Sequence, residues 1–142
     1  MKSLRIPDER VPILIGENGE ALEEIESLLK ASINVEEDGV VEIESEDPLE
    51  EIRAFNIIKA IGRGLSPERA LSLLEENSSI HIIKITDFAS TDNAKRRLKG
   101  RVIGRDGKAR EHIQNVTGTE ISVYGKTVSI LGKSQKVQIA RQ

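Results

Sequence analysis

The residues best suited to chemistry are two glycines three positions apart, Gly104 and Gly107, with the cations Arg105 and Lys108 beside them. Glycine lacks a Cβ atom, so the backbone at these positions can turn tightly and approach a ligand closely. An amphipathic helix is predicted to begin after Gly107, and the free N–H groups at a helix N-terminus attract anions. The motif therefore offers phosphate binding, although a lone Gly-x-x-Gly also occurs in ordinary turns between helices.

The same motif occurs 88 residues earlier, as Gly16-Glu17-Asn18-Gly19. The shared positions are the two glycines and mostly the apolar residues of a predicted helix and strand. The identical pairs are Ile15/Ile103, Gly16/Gly104, Gly19/Gly107, Ala21/Ala109, Glu23/Glu111, Ile25/Ile113, Ile33/Ile121 and Val35/Val123. Such an internal repeat predicts two copies of one small module. We place these modules at residues 1–78 and 79–142.

Charge is divided unequally between the two copies. Residues 1–80 contain 8 Lys and Arg against 19 Asp and Glu, a net charge of −11, whereas residues 81–142 contain 13 against 5, a net charge of +8. Single charge runs are usually solvated faces, but two halves of opposite sign indicate a division of labour. The basic half suits the phosphate backbone of a nucleic acid, and the acidic half suits a protein partner.

Several kinds of site are excluded by composition. Cysteine is absent, which removes disulfides, thiolate metal ligands and thiolate nucleophiles. The two histidines, His81 and His112, lack the partners that would complete a metal site. The sequence contains neither an NTPase P-loop nor a marked acid–base pair, so we expect no enzyme, no cofactor and no metal. No long apolar run or signal peptide is present, which favours a cytoplasmic protein.

Hydrophobic periodicity predicts the elements around the first motif. A strand at Ser3–Pro7 and a short helix that ends at Gly16 precede it. A helix at Glu20–Lys30 follows, then two strands around the hairpin Glu37-Asp38-Gly39. Further helices are predicted from Pro48 and at Pro67–Glu76. The residues expected on the buried faces are Ala21, Ile25, Leu28 and Leu29 in the first long helix, and Ile52, Phe55, Ile58 and Ile61 in the second.

The second copy is predicted to follow the same order, with a longer approach to its motif. A strand over Ile80–Ile85 and a loop precede a helix or turn at Thr91–Gly100. The basic residues of this approach are Lys95, Arg96, Arg97, Lys99 and Arg101. They form either a solvated helix face or a contact with a nucleic-acid backbone, and we favour the latter because they lead directly into the motif.

After the second motif, a helix is predicted at Lys108–Val116, with Ile113 and Val116 facing the core. Strands at Glu120–Tyr124 and Lys126–Leu131 follow it. A closing helix should begin near Lys133, and we expect it to be either truncated or shorter than its counterpart in the first copy.

Ile-Gly-x-x-Gly followed by a helix, two short strands and another helix resembles the KH domain, a single-stranded nucleic-acid-binding module, in its type I arrangement. The acidic first copy, the basic second copy and the run Ile80–Gly107 resemble archaeal two-KH relatives of the factor that matures small-subunit ribosomal RNA. This resemblance implies an α+β fold of two tandem type I KH modules. Each would have a three-stranded sheet with helices packed on one face.

The resemblance also implies where RNA would bind. The second loop and its rim would hold the sugar-phosphate chain, through Gly104, Arg105, Asp106, Gly107, Lys108 and Arg110. An aliphatic groove would be lined by Val102, Ile103, Ile113 and Ile121, with Ser122 and Val123 presenting edge-strand backbone to the bases. A weaker equivalent site would lie at Gly16, Glu17, Asn18 and Gly19.

The implied function is binding near the 3′ end of small-subunit ribosomal RNA, with the nuclease that trims that end and the alpha subunit of translation initiation factor 2 as protein partners. The alternative is a protein-interaction scaffold whose KH folds no longer bind nucleic acid. Carboxylates around the first loop favour the alternative locally, because like charge near a phosphate is costly.

Overall fold

The computed structural model describes residues 1–88 and 91–141, apart from the side chain of Asp106. The chain divides into two compact units, Met1–Leu74 and Glu75–Gln142. Each unit contains one three-stranded antiparallel sheet with helices packed on one face, so the fold class is α+β as predicted. Within the described residues, no helix combines the length and the apolar character needed to cross a membrane.

The first unit follows the predicted order of elements. Its strands are β1 (Lys2–Arg5), β2 (Ser32–Val35) and β3 (Val40–Glu44), and β3 lies in the centre of the sheet. Its helices are α1 (Val11–Ile15), α2 (Glu20–Leu29), α3 (Pro48–Gly62) and α4 (Pro67–Ala70). The side chain of Asp47 accepts a hydrogen bond from the N–H of Leu49 at 2.9 Å, which caps α3 as Asp47-Pro48 predicts.

Two predictions for the helices after the first unit's sheet are wrong, one for α3 and one for the helix that begins at Pro67. On α3, Ile58 and Ile61 are buried as predicted, but Ile52 is exposed and Phe55 is only partly buried, and Ala54 and Ile57 complete the buried face. A stripe at every third residue drifts by about 60° per step on a helix of 3.6 residues per turn, so the stripe that begins at Ile52 cannot stay on one face. The helix at Pro67–Glu76 ends at Ala70 and continues as a 3₁₀ turn, Leu71–Leu74. There Ser72 donates its hydroxyl to the carbonyl of Arg69, in competition with the helical ladder.

The hairpin between β2 and β3 has the turn that Asp-Gly predicts. Asp38 and Gly39 both have positive φ, at 61° and 77°. Two positive φ values in succession match the right-handed twist of the flanking strands. The turn also fastens the end of β1, because the N–H of Ile6 donates to the carbonyl of Gly39 at 2.9 Å.

The second unit repeats this plan. Its strands are β4 (Ser78–Lys84), β5 (Glu120–Tyr124) and β6 (Thr127–Lys133), with β6 in the centre. Its helices are α5 (Asp92–Ile103), α6 (Lys108–Thr117) and α7 (Ser134–Ala140). The stretch predicted as a helix or turn is thus a helix of 12 residues that continues to the motif. The hydroxyl oxygen of Thr91 caps it by accepting from the N–H of Ala94 at 3.0 Å. Ala89 and Ser90, in the predicted loop, lie outside the described residues.

The core of the second unit is formed by Ile85, Ile121, Val128, Ile130 and Val137. Ile85 was predicted in the strand, but it belongs to the 3₁₀ turn that follows β4 and is still buried. Val116 was predicted to face the core and is 65% exposed. Leu28, its equivalent in the repeat, was also predicted to be buried and is 54% exposed. The same helical position therefore faces outward in both units, and the core contact belongs to the next residue, Leu29 or Thr117.

Gly39→Ala should destabilise the first unit strongly. A Cβ atom at Gly39 would lie 2.1 Å from the carbonyl oxygen of Ile6, and the residue has φ of +77°. The strained φ of the new alanine and the displacement of the Ile6 carbonyl should together lower the free energy of unfolding by about 3 kcal/mol. Urea denaturation followed by circular dichroism measures this loss.

Gly19→Ala is the matched control, because Gly19 has the same φ of +77° and nothing lies within 4 Å of its added Cβ. It should cost only about 1 kcal/mol from the backbone conformation alone. Equal losses for the two variants would show that the contact with Ile6 contributes nothing.

Candidate nucleic-acid interface

The two glycine motifs form loops of nearly identical backbone. Gly16 and Gly104 have φ, ψ of 77°, 179° and 74°, 177°, respectively. Gly19 and Gly107 are left-handed at 77°, 9° and 75°, 11°. All four glycines thus have positive φ, which other residues adopt only with strain. The sequence repeat is therefore also a repeat of backbone geometry.

The first glycine of each motif is required by space as well as by φ. A Cβ atom at Gly104 would lie 2.5 Å from the Cβ of Ala109 and 2.6 Å from its backbone nitrogen. At Gly16, the corresponding distances to Ala21 are 2.6 and 2.9 Å. The loop therefore packs directly against the first turn of the helix that follows it. This contact explains why both the glycine and the alanine are identical in the two copies.

The side chains on the two loops differ in charge. In the second loop, Arg105 and Lys108 are exposed, and Arg110 is half-buried on the first turn of α6. In the first loop, Glu17, Asn18 and Glu20 are exposed instead. Each loop sits at the N-terminus of a helix of 10 residues, whose partial positive charge favours an anion. Only the second loop adds cations to that partial charge.

The helix that enters the second loop places most of the predicted basic residues on one element. Ala94, Leu98 and Val102 of α5 recur every four residues and pack against the core. The basic side chains occupy the remaining faces, with Arg96, Arg97 and Arg101 exposed and Lys95 and Lys99 partly buried. The counterpart that enters the first loop, α1, has 5 residues and none of them is charged. The structure thus brings the basic approach and the second motif together.

The residues predicted to line an aliphatic groove divide into two groups. Val102, Ile113 and Val123 are partly buried and pack on the core, and Ile103 is also half-buried. Ile121 is 6% exposed and belongs to the core itself, so its side chain offers little surface to a ligand. Ser122 and Val123 lie on β5, which among the described residues pairs with β6 alone and forms one edge of the sheet. This edge strand lies beside α6.

A polar bridge between the helix and the edge strand escaped sequence analysis. The N–H of Ile121 donates to Oε1 of Gln114 at 2.7 Å. In the first unit, the N–H of Ile33 donates to Oε2 of Glu26 at 3.2 Å. Gln114 and Glu26 occupy the same position of the repeat, although their types differ. The sequence did carry one signal for this bridge, since Glu26 and Gln114 are hydrogen-bonding side chains of equal length at one position of the repeat. Hydrophobic periodicity takes account of only the apolar residues of these helices.

Carboxylates crowd the sheet of the first unit. Glu36, Glu42 and Glu44 lie on or next to β3, and the pKa of Glu42 is raised above its ordinary value. The main cause is the negative charge of Glu36, with smaller contributions from desolvation, a hydrogen bond to Glu36 and the charge of Glu44. The negative charges of Glu36 and Glu44 make ionisation of the Glu42 carboxyl less favourable. A further negative charge close to Glu42 is disfavoured for the same reason.

Within residues 1–88 and 91–141, no group of three or more His, Cys, Asp or Glu side chains is arranged to hold a metal ion. His81 lies on β4 and is partly buried, and His112 is exposed on α6.

Comparison with known proteins places KH domains on both units. Residues 1–60 match the KH domain family, and residues 79–142 match the eukaryotic-type KH domain of type I. A KH domain-containing protein of Methanocaldococcus jannaschii is 46% identical over 98% of this chain and 63% of its own length. The pre-rRNA-processing protein PNO1 of Chaetomium thermophilum is 33% identical over 61% of this chain and 35% of its own length. The chain thus spans less than two thirds of these relatives.

A solved structure covers nearly the whole chain. In the crystal structure of an a/eIF2alpha–aDim2p–rRNA complex from Pyrococcus horikoshii, one chain matches with a TM-score of 0.90 and 43% identity. The match covers 99% of this chain and 80% of that one. Together with the two family matches, this shows that the chain belongs to the archaeal two-KH-domain proteins similar to the small-subunit ribosomal RNA maturation factor, with tandem type I KH modules.

Proposed function

We propose that the chain binds single-stranded RNA during maturation of small-subunit ribosomal RNA, mainly through its second unit. The observation that carries the proposal is the pair of glycine loops, which share one backbone geometry but carry Glu17 in one case and Arg105 in the other. Because the geometry is constant, the side chains decide which loop attracts a phosphate. The names of relatives support the process, since one is a pre-rRNA-processing protein and a similar chain was solved with rRNA.

The proposed contacts follow from where the residues lie. Gly104–Gly107 and the first turn of α6 would face one stretch of sugar-phosphate chain, with Arg105, Lys108 and Arg110 at the rim. The cations of α5 would extend this basic surface along the strand. Val102, Ile103, Ile113 and Val123 would supply the apolar wall for bases, beside the edge strand β5. The RNA proposed for this surface is the 3′ region of the small-subunit ribosomal RNA.

Two protein partners belong to the same proposal. The alpha subunit of archaeal initiation factor 2 is supported by the solved complex that holds a similar chain together with that subunit and rRNA. A nuclease that trims the rRNA 3′ end is proposed from the family resemblance. The acidic first unit is the part of the chain whose charge suits a protein surface.

The second candidate is a scaffold in which the KH folds bind only protein. It is favoured by the exposed carboxylates at the first loop. It does not explain why α5 carries five basic residues directly before a loop with Arg105. The two candidates differ sharply in what a change at Arg105 should do.

Arg105→Glu should weaken binding of single-stranded RNA without unfolding the protein. The substitution copies the residue of the first loop, so the turn is known to accommodate it. At the RNA it removes a charge-assisted hydrogen bond and places an anion beside the phosphate. The combined cost of about 2–4 kcal/mol corresponds to a loss of affinity of about 30- to 1000-fold, measured by fluorescence anisotropy.

The control is Glu17→Gln, which changes the charge at the equivalent position of the first loop. It should leave RNA affinity within about twofold, because that loop still lacks a cation for a phosphate. Melting temperatures of both variants should match that of the parent. If Arg105→Glu leaves affinity unchanged, the loop does not hold phosphate and the scaffold becomes the better assignment.

Binding should also weaken as salt rises, with a log–log slope of about −2 to −4 for a few phosphate contacts at about −0.7 each. Replacing Arg96 and Arg97 with Gln should reduce the magnitude of that slope by about 1.4 if both contact phosphates. The matched control replaces two cations of the first unit, Lys2 and Lys59, and should leave the slope unchanged. A slope that is the same in all three proteins would place α5 away from the RNA.

A further inference from the structure

Phe88 is exposed, although its backbone is anchored. Its side chain is 72% exposed, more than any other large apolar side chain among the described residues of the second unit. The N–H of Phe88 donates to the carbonyl of Ile85 at 3.0 Å, and the N–H of Ile85 donates to the carbonyl of Lys126 at 2.8 Å. Ile85 itself belongs to the core of the unit. The ring is thus held at the surface by a short turn that is fastened to the core.

The position of Phe88 is at the far end of α5 from the second glycine loop. The 3₁₀ turn Ile85–Asp87, which directly precedes Phe88, packs against α5. The 12 residues of α5 make it about 18 Å long, at 1.5 Å per residue, and its other end enters the loop. Phe88 follows β4, which is the edge of the sheet opposite β5. This surface is therefore separate from the apolar wall beside α6.

The other aromatic rings of the chain are not exposed in this way. Phe55 is half-buried, and the ammonium groups of Lys2 and Lys59 each lie 5.8 Å from the centre of its ring. Tyr124 is half-buried at the end of β5. Phe88 therefore offers the most accessible π-face of the chain, and nucleobases stack on such faces regardless of their identity.

The charges close to Phe88 balance one another. Lys84 and Lys126 are exposed near the turn, and so are Asp87 and Asp92. A phosphate gains little net attraction from this set, in contrast to the cations further along α5. A contact between Phe88 and a nucleic acid would therefore depend on the ring and not on charge.

The first unit has the same anchor without the ring. The N–H of Ile6 donates to the carbonyl of Gly39, as that of Ile85 does to Lys126, and both isoleucines are buried. Three residues after Ile6, the residue that corresponds to Phe88 is Glu9, which is exposed. The anchored turn is thus common to both units, whereas the exposed ring is found in the basic unit.

We propose that Phe88 stacks on a base of the RNA strand that leaves the second loop along α5. This inference rests on the proposed function, because it requires a strand held at Gly104–Gly107 and by the cations of α5. The anchored turn places the ring before RNA arrives, which reduces the entropy lost on binding. The stacked base would extend the bound strand beyond the loop without selecting its sequence.

The test uses the full chain, a random-sequence single-stranded RNA 10-mer and an abasic ribose-phosphate 10-mer. Phe88→Ala should lower affinity for the base-bearing RNA about 10-fold and leave affinity for the abasic strand unchanged, measured by fluorescence anisotropy. The salt slope should also be unchanged, because no phosphate contact is lost. Phe88→Leu keeps an apolar side chain without a ring and should lose affinity for the RNA as well. Melting temperatures report whether the fold is intact.

Phe88→Trp gives a direct signal, because the parent chain contains no tryptophan. The variant should bind the RNA at least as tightly as the parent. Its fluorescence should change when the RNA is added and stay constant when the abasic strand is added. Ile139→Trp, at a side chain that is 53% exposed on α7, is the matched control and should respond to neither strand.

The outcomes that overturn the inference differ in what else they remove. If Phe88→Ala binds both strands as the parent does while Arg105→Glu weakens binding, the ring serves another contact and the proposed function stands. An equal loss for both strands would show that Phe88 acts through the fold or the strand backbone, and the inference fails alone. If the parent binds neither strand, the proposed function fails together with the inference.

Discussion

The contact on which both units depend is the close approach of a glycine to the helix that follows it. At Gly104 there is no room for a Cβ atom, because the Cβ of Ala109 would be 2.5 Å away. A larger residue at either position would push the loop off the first turn of α6. The N–H groups of that turn would then no longer lie directly behind the loop. The geometry that suits a phosphate thus depends on two small residues, and the cations act on a frame already in place.

The two units keep this frame and differ in what surrounds it. The repeat retains the glycines, the alanine after them, the core isoleucines Ile25 and Ile113, and the bridge from helix to edge strand. It changes the charge on the loop and the length of the helix that enters it. It also changes the chemistry of the bridging residue. The retained features hold the loop against its helix, whereas the charges that differ between the loops lie on exposed side chains.

Sequence reasoning succeeded where a single local rule decides the structure. The hairpin at Asp38-Gly39, the cap at Asp47 and the glycine loops each follow from backbone preferences of one or two residues. It failed where the outcome depends on how a helix is rotated against its sheet. Leu28, Ile52 and Val116 are apolar and close to the correct face, yet each lies far enough around the helix to be exposed. Their burial is decided by tertiary packing, which apolar spacing alone does not specify.

The bridge at Gln114 was missed for a different reason. A polar residue on an amphipathic helix is assigned to solvent by periodicity, and only the strand that packs beside it reveals its partner. The two copies did carry side chains of equal length, Glu26 and Gln114, at this position, but the same pair is also common on solvated helix faces.

Net charge is a poor guide to what this chain binds, since screening makes the local charges decisive. The whole chain has a net charge of −3 and a pI near 5.5, values that argue against a nucleic-acid partner if taken as averages. At physiological ionic strength, however, interactions between exposed charges are largely screened beyond about 8 Å. A phosphate at the second loop would therefore experience chiefly Arg105, Lys108 and the end of α5, which lie on or next to that loop. The opposite net charges of the two units can therefore each act locally, although their average over the chain is small.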